Sequence, residues 1–591
     1  MATTIPASKG ELFDYEAAVE SQRDVLTENR NWLGFKAFVQ QLGLHGPQLK
    51  GLAAFHLGVD PTAITVCPLK EWKAGAFNVA VVLSVRDECS NINAGGDNDG
   101  DTSKVQDSSE ANESMQTERR IIVRCPIPSS CAEAHYPGTI LEKMRCEVAS
   151  YIWMRRFCPE IRIPQLYGFG LPNGRHVRAT FPIFCFSIVL LTSQFTMSNR
   201  VSFFRRLWLY VRQKAAHLFG WPVPSSYVTV PPSGLSTPDN LAFLSGYMVL
   251  ECFGPPMGRL LPKVVGTNDI DPQDPKAQNL YRSLARLMLA IGRIRQPKIG
   301  AFRFHYDGTI SLDNRPFTCP MMIMENEKAP RTIPSETTYT SVDSYVADMM
   351  AFHDASFLAA PNATDDEDDC RNQLSVRTFL RAASSRFVSR ERHNGPFSLW
   401  MSDDNTCNLF VDDNWNITGL IDLEWMVSVP VDMQCTPFWL YSMEGNSEDT
   451  TRSEEARQKY LAARSVFMSI LRDEEIKQDK TRGSVKRSTG QSRSRFLPGS
   501  TLSDAIDDSW TSGRFWFYLC LQSPNAMHNV VHRNILPDYL DDENVFSKIW
   551  RFWGPNVSDV VAKKLRDRKE YVEQLSKLFN VEVRDNTATS G

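Results

Sequence analysis

The segment GPFSLWMSDDNTCNLFVDDNWNITGLIDLEW, Gly395 to Trp425, constrains the fold more tightly than any other part of the chain. Two short apolar runs, LFV and ITGLI, flank the turn-forming DDNWN, which predicts a hairpin. Polar residues stand at fixed points on its rims, with Asp403 and Asn408 ahead of the first strand and Asp422 behind the second. A hairpin of this length brings Asn408, at the start of one strand, close to Asp422 at the end of its partner. Two oxygen donors placed that way suit a hard cation such as magnesium. Asp and Asn are also ordinary turn formers, so the chemical reading depends on what surrounds the hairpin.

Upstream, Ala63 to Leu69 and Val79 to Val85 read as strands on either side of the turn KAGAFN, and Arg119 to Cys125 as a third. A helix follows from about Leu141 to Phe157, then the strands IRIPQLYGFG and GYMVLECF. That order suits an antiparallel sheet carrying one helix on its face. Asp274 to Ile294, Ser341 to Leu358 and Val376 to Arg390 predict a mainly helical second half. The expected class is α+β, and 591 residues are enough for two lobes with separate cores. Expected boundaries are a helical extension over 1–58, a small lobe over 59–252, a helical lobe over 253–583 and a tail over 584–591. Insertions are expected at 87–118 and 171–240. Residues 87–118, 362–369 and part of 445–500 are too polar and simple to suggest packing.

Composition narrows the function. A net charge of −4 and a pI near 6.3 give no general attraction to polyanions, so nucleic acid is not an expected partner. Thirteen cysteines lie singly with no CxxC pair, which argues for a reducing, cytoplasmic setting and against a structural zinc site. The most apolar run, Phe181 to Leu191, is too short to span a bilayer. Asn199 to Trp221 alternates basic and large apolar residues at helical spacing. It reads as a basic amphipathic helix packed on its own protein, with peripheral membrane contact as the weaker alternative.

Asp403 and Asn408 have the D-x-x-x-x-N spacing of a kinase catalytic loop, in which the Asp takes the proton of the attacking hydroxyl and the Asn binds magnesium. With KAGAFNVAVVL, RRIIVRCPIP, MRCEVASYIWMRRFCPEIRIPQLYGFG, YMVLECFGPPMGRLLP and ISLDNRPF ahead of that block, the chain resembles the aminoglycoside/choline-kinase-like phosphotransferases, especially long fungal-type members. The resemblance runs discontinuously from about Leu69 to Leu440. It implies a protein-kinase-like bilobal fold: a small lobe of antiparallel sheet with one helix, and a large helical lobe. It further implies ATP and magnesium as cofactors and a small-molecule hydroxyl as acceptor. Asp403 would be the catalytic base, and Asn408 and Asp422 the metal ligands. Gly75, Ala76, Phe77 and Asn78 would form the turn over the nucleotide phosphates. Arg124 would pair with phosphate and be oriented by Glu147, and Leu250, Glu251 and Cys252 would meet the adenine.

Three positions depart from that pattern. Met401 stands where the family carries a His before the catalytic Asp, Arg124 replaces a Lys, and the phosphate turn has one glycine, Gly75. Arg presents a planar fork rather than a point charge, and fewer glycines restrict close approach to phosphate. These departures favour the rival reading, a pseudokinase-type binding or scaffold protein with little or no catalysis. Acidic residues beyond the hairpin, Glu424, Asp432 and Glu444, are candidates to face a polar or cationic substrate.

Overall fold

The computed structural model describes residues 4–7, 10–86, 118–172, 192–219, 221–230, 245–266, 269–403, 405–445, 450, 453–485, 501–539 and 543–581. Helices α1 (Tyr15–Glu20), α2 (Val25–Leu44) and α3 (Gly46–Leu57) come first; Asp14 and Asp24 cap the first two by accepting from Ala17 and Thr27 N–H. An antiparallel sheet of eight strands follows: β1 (Ile64–Val66), β2 (Lys73–Ala74), β3 (Asn78–Arg86), β4 (Glu118–Pro126), β5 (Leu166–Pro172), β6 (Thr192–Met197), β7 (Tyr227–Thr229) and β8 (Tyr247–Glu251). Their spatial order is β1-β3-β4-β8-β5-β6-β7, with β2 beside β3. Helices α4 (Thr139–Phe157) and α5 (Phe203–Phe219) lie within this stretch of chain.

Strand alternation sends side chains to two covered faces. Val79, Val81, Leu83 and Val85 of β3 join Ile121, Val123 and Cys125 of β4, packing on Phe38, Leu42, Leu49 and Leu52 of α2 and α3. The opposite face, with Leu166, Met248 and Leu250, packs in the main core with Met144, Val148 and Tyr151 of α4. The sheet is thus covered on both sides, not by one helix as the sequence suggests, because residues of the N-terminal helical stretch supply the second layer. Strands β6 and β7 extend the same sheet, so the described part of 171–240 is built into the fold and is not an appendage.

The second half begins with β9 (Arg259–Leu260), which pairs with β14 (Leu409–Val411), itself paired with β15 (Ile417–Leu420). Between them in sequence lie α6 (Pro275–Gly292), β10 (Arg295–Gln296), β11 (Ala301–Phe304), β12 (Ile310–Asn314), α7 (Cys319–Asn326), α8 (Val342–Ala359), α9 (Glu367–Phe387) and β13 (Phe397–Met401). Strand β13 is flanked by β10 and by β16 (Met426–Pro430). The longest helices of the remaining described chain are α10 (Glu454–Val485), α11 (Leu502–Thr511), α12 (Arg514–Gln522) and α13 (Val557–Phe579), with shorter helical turns between α12 and α13. The architecture is mixed α+β with antiparallel sheets.

Gly258 fixes the connection from β8 to the hairpin. Its φ is +85°, and a Cβ there would sit 2.0 Å from the Val411 carbonyl oxygen. Gly258→Ala combines a disfavoured backbone with a backbone clash, so it should lower stability by at least about 2 kcal/mol, read as a shift in the urea midpoint at constant slope. A loss of only a few tenths would show that the β9–β14 contact yields without cost.

Two expectations need correction. Residues 362–369 do pack: Asn362 and Thr364 are buried, the Asn362 amide donates to Ser21 O (3.0 Å) and Arg23 O (2.7 Å), and Asp366 caps α9. Within 445–500 the described residues include the 32-residue helix α10, which buries Tyr460, Ala463, Phe467 and Leu471, while 446–449, 451–452 and 486–500 lie outside the described residues. The helix expected at 199–221 does form as α5, but among the described residues it is scarcely packed on its own protein; Leu209 and Ala216 are its buried apolar side chains. The stretches 87–117 and 173–191, including the apolar run Phe181 to Leu191, lie outside the described residues. No helix among the described residues is long and apolar enough to cross a membrane.

Candidate functional site

The hairpin forms as the sequence dictates, and its backbone places the polar residues. Leu409 pairs with Leu420, the Asp412 N–H donates to Asn416 O, and the Ile421 N–H donates to Asn408 O (2.9 Å), so Asn408 and Asp422 become neighbours. Asp422 leaves the strand with φ +60°, a left-handed conformation that Asp tolerates better than most residues but at some cost. That conformation turns its carboxylate toward the small lobe, where it accepts from Arg124 Nη2 at 2.7 Å.

Arg124 lies at the centre of a charged cluster joining both halves of the molecule. Its Nη1 is 3.1 Å from Glu147 Oε1 on α4, and its Nη2 is 3.1 Å from Glu424 Oε2. Lys143, also on α4 and wholly buried, pairs with Glu424, lies 3.7 Å from Glu147 Oε2, and donates to Asn78 Oδ1 at 3.0 Å. Asn78 in turn donates through Nδ2 to Glu424 Oε2 at 2.9 Å. Three carboxylates therefore share two cations in a dry environment, where an uncompensated charge is expensive. Burial pushes Glu147 up to about 7 despite Arg124 and Lys143. At Glu424 the same upward push of burial is overcome by Lys143 and Arg124, which hold the carboxyl below its ordinary value.

Asp403 stands at the edge of this cluster. Burial, then the charges of Asp422 and Glu424, push its carboxyl up to about 6, while the neighbouring Asn408 amide and Arg124 pull the other way. The loop is tied down by Ser402, whose N–H (3.0 Å) and hydroxyl (2.9 Å) both donate to Trp425 O. Met401 ends β13 opposite Met426 and packs against the core. Ser402 thus provides a polar link between the loop and the segment after Asp422 that Met401 cannot.

The remaining positions separate by exposure. Gly75 and Ala76 are exposed at the tip of the β2–β3 turn, with the Gly75 N–H donating to Asn78 O. Phe77 is buried edge-on to Trp425, and Asn78 is engaged inside the charge cluster. Only the first two are placed to meet a phosphate from above without rearrangement. Leu250 is buried in β8 opposite Ile122 and Leu166; Glu251 binds Arg162 and accepts from the Gln165 N–H. The Cys252 N–H donates to Arg120 O (3.3 Å), so that donor is already occupied by protein. Phe253 packs edge-on against Phe410 of the hairpin, forming an apolar wall between the halves.

Glu424 and Asp432 do not face a substrate, as the sequence reading allowed. Glu424 is buried in the cluster, and Asp432 is buried against Arg392, which contacts both its oxygens at 2.6 and 3.2 Å. Glu444 is exposed. Lys143 was not singled out from the sequence, because its helix also carries Glu142, Arg145 and Glu147 and nothing local shows which of them face inward.

Oxygen donors of the kind a hard divalent cation takes are gathered here, and the three carboxylates are already paired with Arg124 or Lys143. Carboxylate oxygens of Glu147, Asp422 and Glu424 lie within 4.8 Å of one another, and Asn408 adds an amide oxygen donor beside Asp422. Arg124 Nε is buried without a hydrogen-bond partner among the described residues, so this centre carries unmet bonding capacity. No protein-family model, curated protein or solved structure matches the chain.

Proposed function

We propose that the protein is an ATP- and magnesium-dependent phosphotransferase acting on a hydroxyl of a small molecule, with a protein-kinase-like bilobal arrangement. The observation that carries this reading is Arg124, held between Glu147 on α4 and Asp422 at the end of the hairpin, with Asp403 and Asn408 alongside. The likeness to aminoglycoside/choline-kinase-like enzymes noted from sequence assigns these positions the same roles.

In this reading Arg124 and Lys143 offset phosphate charge, and Glu147 and Glu424 hold those cations in place. Asp403 orients the acceptor hydroxyl and takes its proton as the oxygen bonds to the γ-phosphorus and the bond to ADP breaks. A carboxyl poised near 6 is ionised at neutral pH yet basic enough to accept that proton. Asn408 and Asp422 would hold magnesium, whose contribution when bound would be neutralisation of phosphate charge. Most of the acceleration would come from positioning and charge stabilisation.

A pseudokinase is the second reading, favoured by one observation. Arg124 donates to Asp422 directly, and Asn78 is bound up with Glu424 and Lys143, so the polar groups already satisfy much of one another's need. Calorimetry of ATP binding with and without magnesium, on the wild type and on Asp422→Ala, separates the two. Magnesium-dependent binding that weakens at least tenfold in the variant supports the enzyme. A well-folded wild type that binds no nucleotide supports the pseudokinase.

A further inference from the structure

Helix α5 is amphipathic, yet its apolar side is turned outward. Successive helical residues advance by about 100°, which places Phe203, Phe204, Leu207, Trp208, Val211 and Leu218 on one broad arc. All six are exposed, from 47% for Leu207 to 80% for Phe204 and Leu218. Leu209 and Ala216, which anchor the helix to the protein, fall on the far side of the wheel. The arc is extended by Phe219 and Trp221, both 61% exposed and stacked with ring centroids 4.9 Å apart. A water-facing surface of this breadth is unusual for a lone soluble chain.

Charge distribution says what the surface fits. Arg205 and Arg212 flank one side of the apolar arc and Arg206 the other, while Lys214 rises from within the arc. Arg205 and Arg212 reach back to Thr229 O and Asp307 O, and Lys214 lies over the Tyr210 ring. No Asp or Glu occurs anywhere between Ile161 and Pro238, in a chain with 69 such residues and a net charge of −4. At the foot of the helix a cavity of about 470 Å³ is lined by Arg155, Arg156 and Lys214 together with Tyr210, Ser225 and Ser226. Among the described residues no carboxylate lines it. Large apolar side chains bordered by cations, with a basic recess beside them, match the acyl boundary and anionic headgroups of a bilayer.

We infer that α5 is an interfacial helix that seats this protein on an anionic lipid surface, with its apolar arc in the acyl boundary and its flanking cations among the headgroup phosphates. The helix lies between β6 and β7, at the far edge of the eight-stranded sheet from β1. Association therefore requires no rearrangement of the Arg124 cluster, and the inference does not depend on the phosphotransferase reading.

The test is co-sedimentation of the full chain with vesicles of phosphatidylcholine alone and of phosphatidylcholine mixed with phosphatidylserine. Two surface variants accompany it, Phe204→Asp with Trp208→Asp, and Arg206→Glu with Lys214→Glu. The side chains replaced are exposed, so the fold is expected to persist, and far-UV circular dichroism and the urea midpoint check that it does. The wild type should bind the phosphatidylserine vesicles and release them as salt rises, and each variant should bind roughly tenfold or more weakly. Three results would overturn the inference: no vesicle binding by folded wild type, equal binding to both compositions, or self-association in the absence of lipid that the same substitutions abolish. The last would assign the face to a second copy of this chain.

Discussion

Arg315→Met should destabilise the protein by roughly 3–5 kcal/mol, the range for breaking a buried ion pair from one side. Arg315 is 0% exposed and clamped between two carboxylates on different elements. It contacts Glu142 of α4 at 2.8 and 3.0 Å and Glu325 of α7 at 2.5 and 3.0 Å, and it donates to Ile333 O at 3.1 Å. Methionine fills much of the volume but leaves both carboxylates in a dry core, with Arg331 as the remaining cation at 2.6 Å from Glu325. Arg315→Lys should recover only part of the loss, because a point charge cannot serve two carboxylates in the guanidinium plane. Urea titration measures both variants; a Met variant within 1 kcal/mol of wild type would show that the core readily hydrates. The effect should extend to the candidate site, since α4 also bears Lys143 and Glu147.

Under the proposed phosphotransferase function, Asp403→Asn should reduce phosphoryl transfer by a factor on the order of 10²–10⁴ while making the protein more stable at neutral pH. The folded-state carboxyl is raised to about 6, above its ordinary value, so the folded state holds that proton more tightly than the unfolded state does. The associated stability is fully present below the unfolded pKa and is lost as pH rises through about 6. At pH 7.5 the wild type therefore carries an ionised, partly dry carboxylate, and its removal should return about 1–2 kcal/mol after allowance for solvent screening. At pH 4 the gain should vanish. Paired thermal melts at the two pH values check this, and equal shifts at both would remove the pKa argument. Turnover by the wild type, on any alcohol that proves an acceptor, should fall about tenfold per unit as pH drops below 6.

The parts of the fold legible in the sequence are those written in local periodicity. Val79 to Val85 is a near-continuous apolar run, as expected of a strand covered on both faces, and the hairpin at 409–420 is marked by turn residues between apolar runs. What escaped depends on distant partners. Asn362 looks like loop composition until Ser21 and Arg23, some 340 residues away in sequence, supply its acceptors. Glu424 looks like a substrate-facing acid until Lys143 and Arg124 arrive from the other half. For α10 a signal was present: Tyr460, Ala463, Phe467 and Leu471 recur at spacings of a helical stripe within polar surroundings. In the site, Asp403, Asn408 and Asp422 stood out by spacing, whereas Lys143 did not, since burial of a lysine is decided by the acids that surround it.

One contact across the fold also bears on how the chain is made. Ile5, Phe13 and Val25 pack against Tyr571, Leu575 and Phe579 of α13, and the Val25 N–H donates to the Tyr571 hydroxyl oxygen at 2.9 Å across 546 residues. At ordinary rates of protein synthesis, roughly half a minute to two minutes pass between the emergence of one partner and the other. Throughout that interval the early apolar residues lack the part of their native packing that α13 supplies. A nascent chain of this protein is thus expected to rely on holding chaperones until α13 emerges, and slowing the ribosome late in the message should lengthen that dependence.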